Sequence, residues 1–154
     1  VSPGRGALLA SMTAERIQQT IDGDLASVPF AVGANNHTGS RLTAHAGQMQ
    51  TVMRHLQQRQ LFFIDSRTTD ETVAYAVARK IGVKSAQRKV FLDVKPGRDF
   101  ARRQLTQLAS LAEQGQPAIA IGHPKEDTLR ALEEMLPEFE RRGIRIVRVS
   151  EFLE

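Results

Sequence analysis

Residues 28–33 of this 154-residue chain read VPFAVG, and residues 34–41, which follow them, read ANNHTGSR. The first run predicts a buried strand over residues 28–32, so polar side chains begin where that strand is expected to end. A second block, IAIGHP at residues 119–124, also joins a short apolar run to a glycine and a histidine. Because loops at the C-terminal ends of such strands hold ligands in α/β proteins, His37 and His123 indicate one shared site.

Periodicity predicts alternating helices and strands around these blocks. Thr13 is expected to cap a helix that runs to about Ile21, and apolar residues at helical spacing over residues 49–56 predict a helix that ends near Gln58. Thr68 and Glu71 form a capping box ahead of a helix that stops at Gly82, and further helices are expected around residues 105–111 and 129–139. Strands are expected at residues 28–32, 61–64, 90–92, 118–121 and 144–149.

Five short strands between helices predict an α/β protein, with a parallel sheet or barrel in a single domain that spans residues 1–154. Five strands are too few for a closed eight-stranded barrel, so we expect an open sheet or part of a larger barrel. The loop-like start at residues 1–6 favours the second alternative, an N-terminally incomplete domain. Its open sheet edges would allow pairing with another chain, so a homo-oligomer is a further expectation.

Composition excludes several classes of protein. The chain has no cysteine, so disulfides and thiolate sites are excluded and a metal must rest on His, Asp or Glu. The net charge of +4 comes from Lys and Arg scattered among acids, with one Tyr and no Trp, so we expect a solvated surface and no nucleic-acid partner. No apolar stretch approaches the roughly 20 residues that span a bilayer.

Four side chains would lie at the same end of the strands if all strands run parallel: His37, Asp65, Asp93 and His123. Two imidazoles and a carboxylate suit zinc or another divalent ion, which would activate water and polarise a carbonyl. Simpler interpretations stay open for each residue. Either histidine fits a backbone hydrogen bond, Asp65 fits a cap of the following segment, and Asp93 fits a turn. His45 and His55 fall in a predicted helix, where surface or packing roles are expected.

Four blocks, in this order and spacing, resemble the divergent polysaccharide deacetylase family: residues 32–41, 63–69, 88–93 and 121–124. The similarity spans almost the whole chain. It implies a distorted (β/α) barrel of the polysaccharide deacetylase type, here lacking its first strands, that removes N- or O-acetyl groups from sugars by metal-dependent hydrolysis. Relatives of this kind are exported to the periplasm or secreted. The Asp-Asp pair that the classical enzymes carry on the first strand does not occur in this sequence.

The resemblance also assigns roles to individual residues. His37 matches a metal ligand, and His123 matches a histidine that acts as an acid or, here, as a replacement ligand. Arg67 and Asp93 match the residues that orient the base and the acid, and Asp65 joins them as a catalytic candidate. Arg41 stands where classical relatives have a second histidine, and Lys89 stands where this family commonly has Asp. The candidates for substrate contact are Asn35, Asn36, Ser40, Arg41 and Ser66.

The leading hypothesis is a metal-dependent deacetylase, with zinc as the expected ion and a glycan as the substrate. An alternative of another class is a catalytically inactive envelope protein that binds glycan or protein through the same strand-end pocket. A third, a binder of sugar phosphates or nucleotides, rests on fold alone and lacks a glycine-rich phosphate loop.

Overall fold

The structure is a computed structural model that describes Gly4 and residues 6–153. Its helices are α1 (Ala14–Ser27), α2 (Ser40–Thr43), α3 (Ala46–Gln58), α4 (Ala74–Ile81), α5 (Arg98–Glu113) and α6 (Glu126–Arg141). Its strands are β1 (Gly33–Asn35), β2 (Phe62–Asp65), β3 (Ser85–Phe91) and β4 (Ile119–Ile121), and a short 3-10 helix covers Val149–Phe152. Among these residues, no helix has both the length and the apolar character needed to cross a membrane.

The four strands are parallel, in the order β1-β2-β3-β4. The predicted α/β class with parallel strands between helices is therefore confirmed. The chain divides into two compact units: the described residues up to Gln87 together with Leu153, and Arg88–Phe152. The start of β3 pairs with β2 in the first unit, and the end of β3 pairs with β4 in the second.

Each unit has its own apolar core. In the first unit, the face of α3 that the helical spacing predicted is buried, and Met49 and Met53 pack there with Ile17 of α1 and Phe63 of β2. In the second unit, Leu105 of α5 and Phe139 of α6 are each 1% exposed and pack with Val90. Burial of each large side chain of this kind contributes about 1.5–3 kcal/mol.

Helix ends follow local signals in part. Thr13 caps α1 as predicted, since its side chain accepts a hydrogen bond of 3.3 Å from the amide of Arg16, although the helix runs on to Ser27. Gly82 ends α4 in the left-handed conformation, at φ 86°. The capping box at Thr68 and Glu71 was wrong, because α4 begins only at Ala74.

The strand expected at residues 28–32 was wrong. Val28, Phe30 and Val32 are 59%, 97% and 68% exposed, and Phe30 has a φ of 71°, which a strand does not accommodate. The strand begins instead at Gly33, where an added Cβ would lie 2.3 Å from the ring of Phe62. A glycine at position 33 therefore leaves the space that the ring of Phe62 occupies against β1.

The strand expected at residues 144–149 was also wrong. Residues 144–148 have no regular structure, and the 3-10 helix begins at Val149. A strand exists only where a neighbour accepts and donates its backbone hydrogen bonds. Within the described part of the chain, residues 144–148 pair with no strand, although β4 pairs with β3 alone and has a second edge.

Candidate functional site

Two loops of the first unit are joined by hydrogen bonds among three residues that the sequence predicted to contact substrate: Asn35, Asn36 and Ser66. The side-chain amide of Asn35, at the end of β1, donates to Ser66 Oγ over 3.1 Å, and the amide N of Ser66 donates to Asn36 Oδ1 over 2.8 Å. Parallel pairing of β1 with β2 brings these residues together across 30 positions of sequence. The loops after the two strands therefore form one polar surface, which we call the loop pair (residues 35–41 and 65–69).

A second set of hydrogen bonds closes the loop pair. Thr68 Oγ1 donates to the carbonyl oxygen of Thr38 over 3.0 Å, and Ser40 Oγ donates to the carbonyl oxygen of Thr68 over 3.1 Å. Thr38 and Gly39 both have left-handed backbone, with φ values of 58° and 77°. His37 precedes this turn and is exposed, and Arg41 is exposed on α2. Both residues are thus presented at the surface by a fixed backbone.

Asp65 is fully buried, and its carboxylate accepts hydrogen bonds from neighbouring backbone and hydroxyl groups. Its Oδ1 accepts from the amide N of Arg67 over 2.8 Å, and its Oδ2 accepts from Thr72 Oγ1 over 3.0 Å and from the amide N of Tyr75 over 3.2 Å. These three donors all belong to the segment that leads into α4. The structure therefore favours the capping interpretation of Asp65 over the catalytic one.

Arg67 follows Asp65 in a left-handed conformation, at φ 48°. Its Nη1 donates to Gln87 Oε1 over 3.0 Å, and Gln87 is the residue of β3 that pairs in register with Asp65. Sequence reasoning missed Gln87 because only the apolar end of β3 was predicted as a strand. Within the first unit, Arg67 thus contacts the neutral amide of Gln87, and its Nη2 lies 3.9 Å from Oδ1 of the exposed Asp70.

The second unit brings the side chains of two predicted catalytic residues, Asp93 and His123, into direct contact. The side chain of Asp93 is 4% exposed, whereas that of His123 is 41% exposed. Nδ1 of His123 lies 3.0 Å from Oδ1 and 3.1 Å from Oδ2 of Asp93, and the backbone N of His123 donates to Oδ2 over 3.0 Å. Because the carboxylate is an acceptor, Nδ1 carries a proton, and exchange of a proton with a substrate falls to Nε2. We call these two residues the imidazole pair.

Two further residues contact the carboxylate of the imidazole pair. Lys125 Nζ lies 3.4 Å from Oδ2 of Asp93, and the hydroxyl of the buried Thr128 lies 3.5 Å from the same oxygen. Sequence reasoning missed both residues. The only available signal was their position just after His123, at the start of a predicted helix.

These neighbours keep Asp93 ionised. Burial of the carboxyl raises the pKa of Asp93, but the hydrogen bonds from His123, its charge and the hydrogen bond from Lys125 together lower it by more. The pKa of Asp93 therefore lies below its ordinary value. An ionised Asp93 both orients the ring of His123 and stabilises that ring when it is protonated.

An aromatic ring packs beside the imidazole. The ring centroids of Phe91 and His123 are 5.9 Å apart with an interplanar angle of 34°, and the guanidinium carbon of Arg88 lies 4.9 Å from the Phe91 centroid. Phe91 is the last residue of β3, and Gly122 follows β4 directly. Phe91 at the end of β3 therefore packs beside the ring of His123, and Asp93, two residues later, contacts its Nδ1.

The described residues do not assemble the ligands that the predicted metal site needs. A catalytic zinc ion takes three protein ligands, and no group of three His, Asp or Glu residues gathers anywhere in the described chain. His37 belongs to the first unit, and in the second unit Nδ1 of His123 is engaged by Asp93. Taken alone, the described residues of either unit do not supply the three ligands of a catalytic metal. A metal site shared by His37 and His123 stays a prediction.

The fold defines an α/β protein with parallel strands. Its site is a histidine at a strand end, His123, whose ring is oriented by the buried carboxylate of Asp93. The family model for divergent polysaccharide deacetylases matches residues 1–153. The chain belongs to this family, and the resemblance seen in the sequence is confirmed.

Similar proteins have no function assigned in their names. The chain is 39% identical over 132 residues to the uncharacterized protein YibQ of Escherichia coli K12, covering 86% of this chain and 41% of that protein. It is 38% identical over 130 residues to an uncharacterized protein of Haemophilus influenzae, covering 83% of this chain and 46% of that protein. The chain thus spans less than half the length of these relatives.

A solved structure has the same fold. The crystal structure of the uncharacterized protein ATU2773 from Agrobacterium tumefaciens matches with a TM-score of 0.93 at 27% sequence identity. The match covers 98% of this chain and 61% of that protein. The predicted fold of the polysaccharide deacetylase type is therefore confirmed.

Proposed function

We propose that this chain is part of a hydrolase that removes acetyl groups from a glycan, with the imidazole pair as its acid. Membership of the divergent polysaccharide deacetylase family supports the reaction class. The observation that carries the proposal is the contact between a buried, ionised Asp93 and the half-exposed ring of His123. A histidine that a buried carboxylate orients is a common general acid or base.

The chemistry requires such a group. Hydrolysis adds the oxygen of water to the acetyl carbonyl carbon while a general base takes a proton from that water, and then breaks the bond from the carbon to the sugar nitrogen or oxygen. The departing atom must take up a proton, because an amide anion or alkoxide is a poor leaving group. In the proposal, Nε2 of His123 gives that proton, and the negative charge of Asp93 stabilises the imidazolium that exists before the transfer.

The loop pair supplies groups that suit a sugar. Asn35, Ser40 and Arg41 are exposed there, and amides, hydroxyls and guanidinium groups form hydrogen bonds with sugar hydroxyls. We propose that these residues contact the glycan, while Asn36 and Ser66 hold the loop pair in shape through their mutual hydrogen bond.

The metal, zinc in this proposal, and its ligand His37 rest on the family resemblance alone. No step described above passes through the ion. Metal analysis of the purified protein tests this part separately. A location in the periplasm or outside the cell is likewise proposed from the resemblance.

Release of acetate from an acetylated glycan tests the function. The protein made from its complete reading frame is expected to release acetate, and its His123→Ala variant is expected to lose this activity. His45→Ala is the matched control because His45 is an exposed histidine at the N-cap of α3. Failure of the wild-type protein on a panel of N- and O-acetylated glycans would contradict the proposal. Equal activity of the two variants would contradict the role of His123.

Two observations favour a second candidate, an inactive protein that binds glycan or protein. The described residues contain no three-ligand metal group, and Arg41 stands where the classical enzymes have a second histidine. Calorimetric titration with acetylated glycan separates the two candidates. Saturable binding with no acetate released would support the binding protein.

A further inference from the structure

The turn between α1 and β1 holds an aromatic side chain out in solvent. The amide N of Ala31 donates to the carbonyl oxygen of Val28 over 3.3 Å, and Pro29 and Phe30 take the two central positions between them. With a proline first and a φ of 71° at Phe30, this is a type II β-turn, in which the position of Phe30 favours glycine. Phe30 is 97% exposed, so its ring adds nothing to the core.

Two valines extend this apolar surface. Val28 and Val32 are 59% and 68% exposed, on either side of Phe30 in the chain. We call the three residues the apolar tip. Single exposed apolar side chains are ordinary, but a group of them indicates a contact surface. Left-handed backbone at a bulky residue is uncommon and clusters at functional sites, so the tip is a candidate for a function outside the core.

The apolar tip lies at the N-terminal edge of the strands of the first unit. The amide N of Phe62 donates to the carbonyl oxygen of Val32 over 3.2 Å, and the amide N of Phe63 donates to that of Lys84 over 2.9 Å. The segments that lead into β1, β2 and β3 therefore lie side by side, together with the C-terminal ends of α1, α3 and α4. We call residues 22–32, 54–61 and 79–84 the basic edge.

The basic edge has an excess of positive charge. Its two carboxylates are Asp22 and Asp24, and Asp22 is already held by His55 and Arg59. Its five cationic side chains are all exposed: Arg54, Arg59, Arg79, Lys80 and Lys84. Cations near helix C-termini are favourable by themselves, so this charge indicates a partner only in combination with the apolar tip beside it.

We propose that the apolar tip and the basic edge dock on the surface of an anionic lipid bilayer. Phe30 enters the boundary between headgroups and acyl chains, where aromatic rings are favoured, and the cations face the lipid phosphates. An apolar anchor together with several basic residues is the combination that holds proteins reversibly at such a surface. The inference does not depend on the proposed enzymatic function.

The shape of the tip favours a bilayer over a protein partner. A protruding turn with one large ring enters a deformable lipid surface directly. A protein partner would have to provide a pocket for Phe30 and carboxylates matched to the cations of the basic edge. A protein contact is therefore the competing outcome of the test.

Sedimentation with lipid vesicles tests the proposal in the protein made from its complete reading frame. Vesicles of phosphatidylglycerol mixed with phosphatidylcholine are compared with vesicles of phosphatidylcholine alone. Phe30→Gly is expected to lower the ratio of bound to free protein roughly tenfold or more on the anionic vesicles, because it removes the buried ring. Lys84→Gln is expected to lower this ratio about fivefold.

Two matched variants in the second unit serve as controls. Val94→Ser removes an apolar side chain that is 65% exposed, and Lys95→Gln removes an exposed cation. Both are expected to leave the ratio of bound to free protein unchanged. Absence of wild-type binding to the anionic vesicles, or equal binding by wild type and Phe30→Gly, would overturn the proposal.

Urea unfolding of Phe30→Gly separates binding from folding. Glycine adopts the left-handed turn without strain, so the unfolding midpoint is expected to stay constant or to rise while vesicle binding falls. Phe30→Trp keeps an aromatic ring and is expected to bind vesicles as wild type does. A lower midpoint for Phe30→Gly would assign Phe30 to the fold and overturn the proposal. Association of copies that requires Phe30, without vesicle binding, would assign the tip to a protein contact and overturn it as well.

Discussion

Nδ1 of His123 lies 3.0 Å from Oδ1 of Asp93, although 30 positions of sequence separate the two residues. Parallel pairing of β3 with β4 creates this contact, because Asp93 follows the first strand and His123 the second. The buried carboxylate contacts His123 at two places, the ring Nδ1 and the backbone N. The orientation of His123 is thus a consequence of the fold itself.

The Asp93→Asn substitution should reduce kcat while the protein stays folded. The amide has similar size but no charge, so it neither stabilises an imidazolium nor fixes the proton on Nδ1. We expect a loss of about 10²- to 10⁴-fold in acetate release. Steady-state kinetics together with circular dichroism check this expectation. Wild-type kcat in the folded variant would show that Asp93 has no catalytic effect.

Acid should weaken the first unit through Asp22. His55 Nε2 and Arg59 Nη2 each lie 2.5 Å from Oδ1 of Asp22, and the hydrogen bond with His55 is the largest influence that lowers the pKa of this carboxyl. A lowered folded-state pKa stabilises the fold above the unfolded value, about 3.9, and that contribution is lost as the pH falls through the folded value. The stability advantage of wild type over Asp22→Asn should therefore shrink in acid.

Urea unfolding at several pH values between about 7 and 2.5 measures this difference. Asp24→Asn, on the same helix, controls for the change in net charge. An Asp22→Asn advantage or deficit that stays constant over the whole range would contradict the role given to Asp22.

Two glycine substitutions should have opposite effects on stability. Gly33→Ala places a Cβ against the ring of Phe62, and we expect a loss of about 1–3 kcal/mol from this overpacking. Gly23→Ala lies inside α1 with no atom within 4 Å of the new Cβ, and we expect a gain of about 0.5–1 kcal/mol. Chemical denaturation measures both. Equal effects of the two substitutions would contradict the packing of the Phe62 ring against Gly33.

The second core should depend on Phe139. This side chain is 1% exposed between α5 and α6, so Phe139→Ala is expected to cost about 3–5 kcal/mol of unfolding free energy. Val94→Ala, at a 65% exposed position of the same unit, should change the free energy by less than about 0.5 kcal/mol. Denaturant midpoints check both values, and similar costs would contradict the assignment of the core.

Periodicity predicted the helices well because a buried helix face repeats locally, as at Met49, Val52, Met53 and Leu56. It failed at residues 28–32, where an apolar run is exposed and Phe30 is left-handed. It failed again at residues 144–149, since pairing depends on a neighbouring strand and not on the run itself. An apolar run indicates what a segment can bury, and tertiary structure decides whether it does.

The candidate site, like the fold, was predictable from the sequence in part. Strand ends followed by polar residues identified His123 and Asp93, whose contact the structure shows. Lys125 and Thr128 were missed because they do not directly follow a strand: Lys125 is the N-cap of α6 and Thr128 lies in its first turn. Asp65, like Asp93, directly follows a short apolar run in the sequence. Its carboxylate, however, accepts hydrogen bonds from local backbone and hydroxyl donors. A strand-end carboxylate alone does not distinguish a cap from a catalytic group.

The central claim is that His123 protonates the leaving group during deacetylation. The most direct test compares wild type and His123→Ala on a sugar acetate and on an activated aryl acetate, whose leaving group needs no proton. We predict that the variant loses about 10²-fold or more on the sugar acetate and far less on the aryl acetate. An equal loss on both substrates, or no loss on either, would contradict the claim.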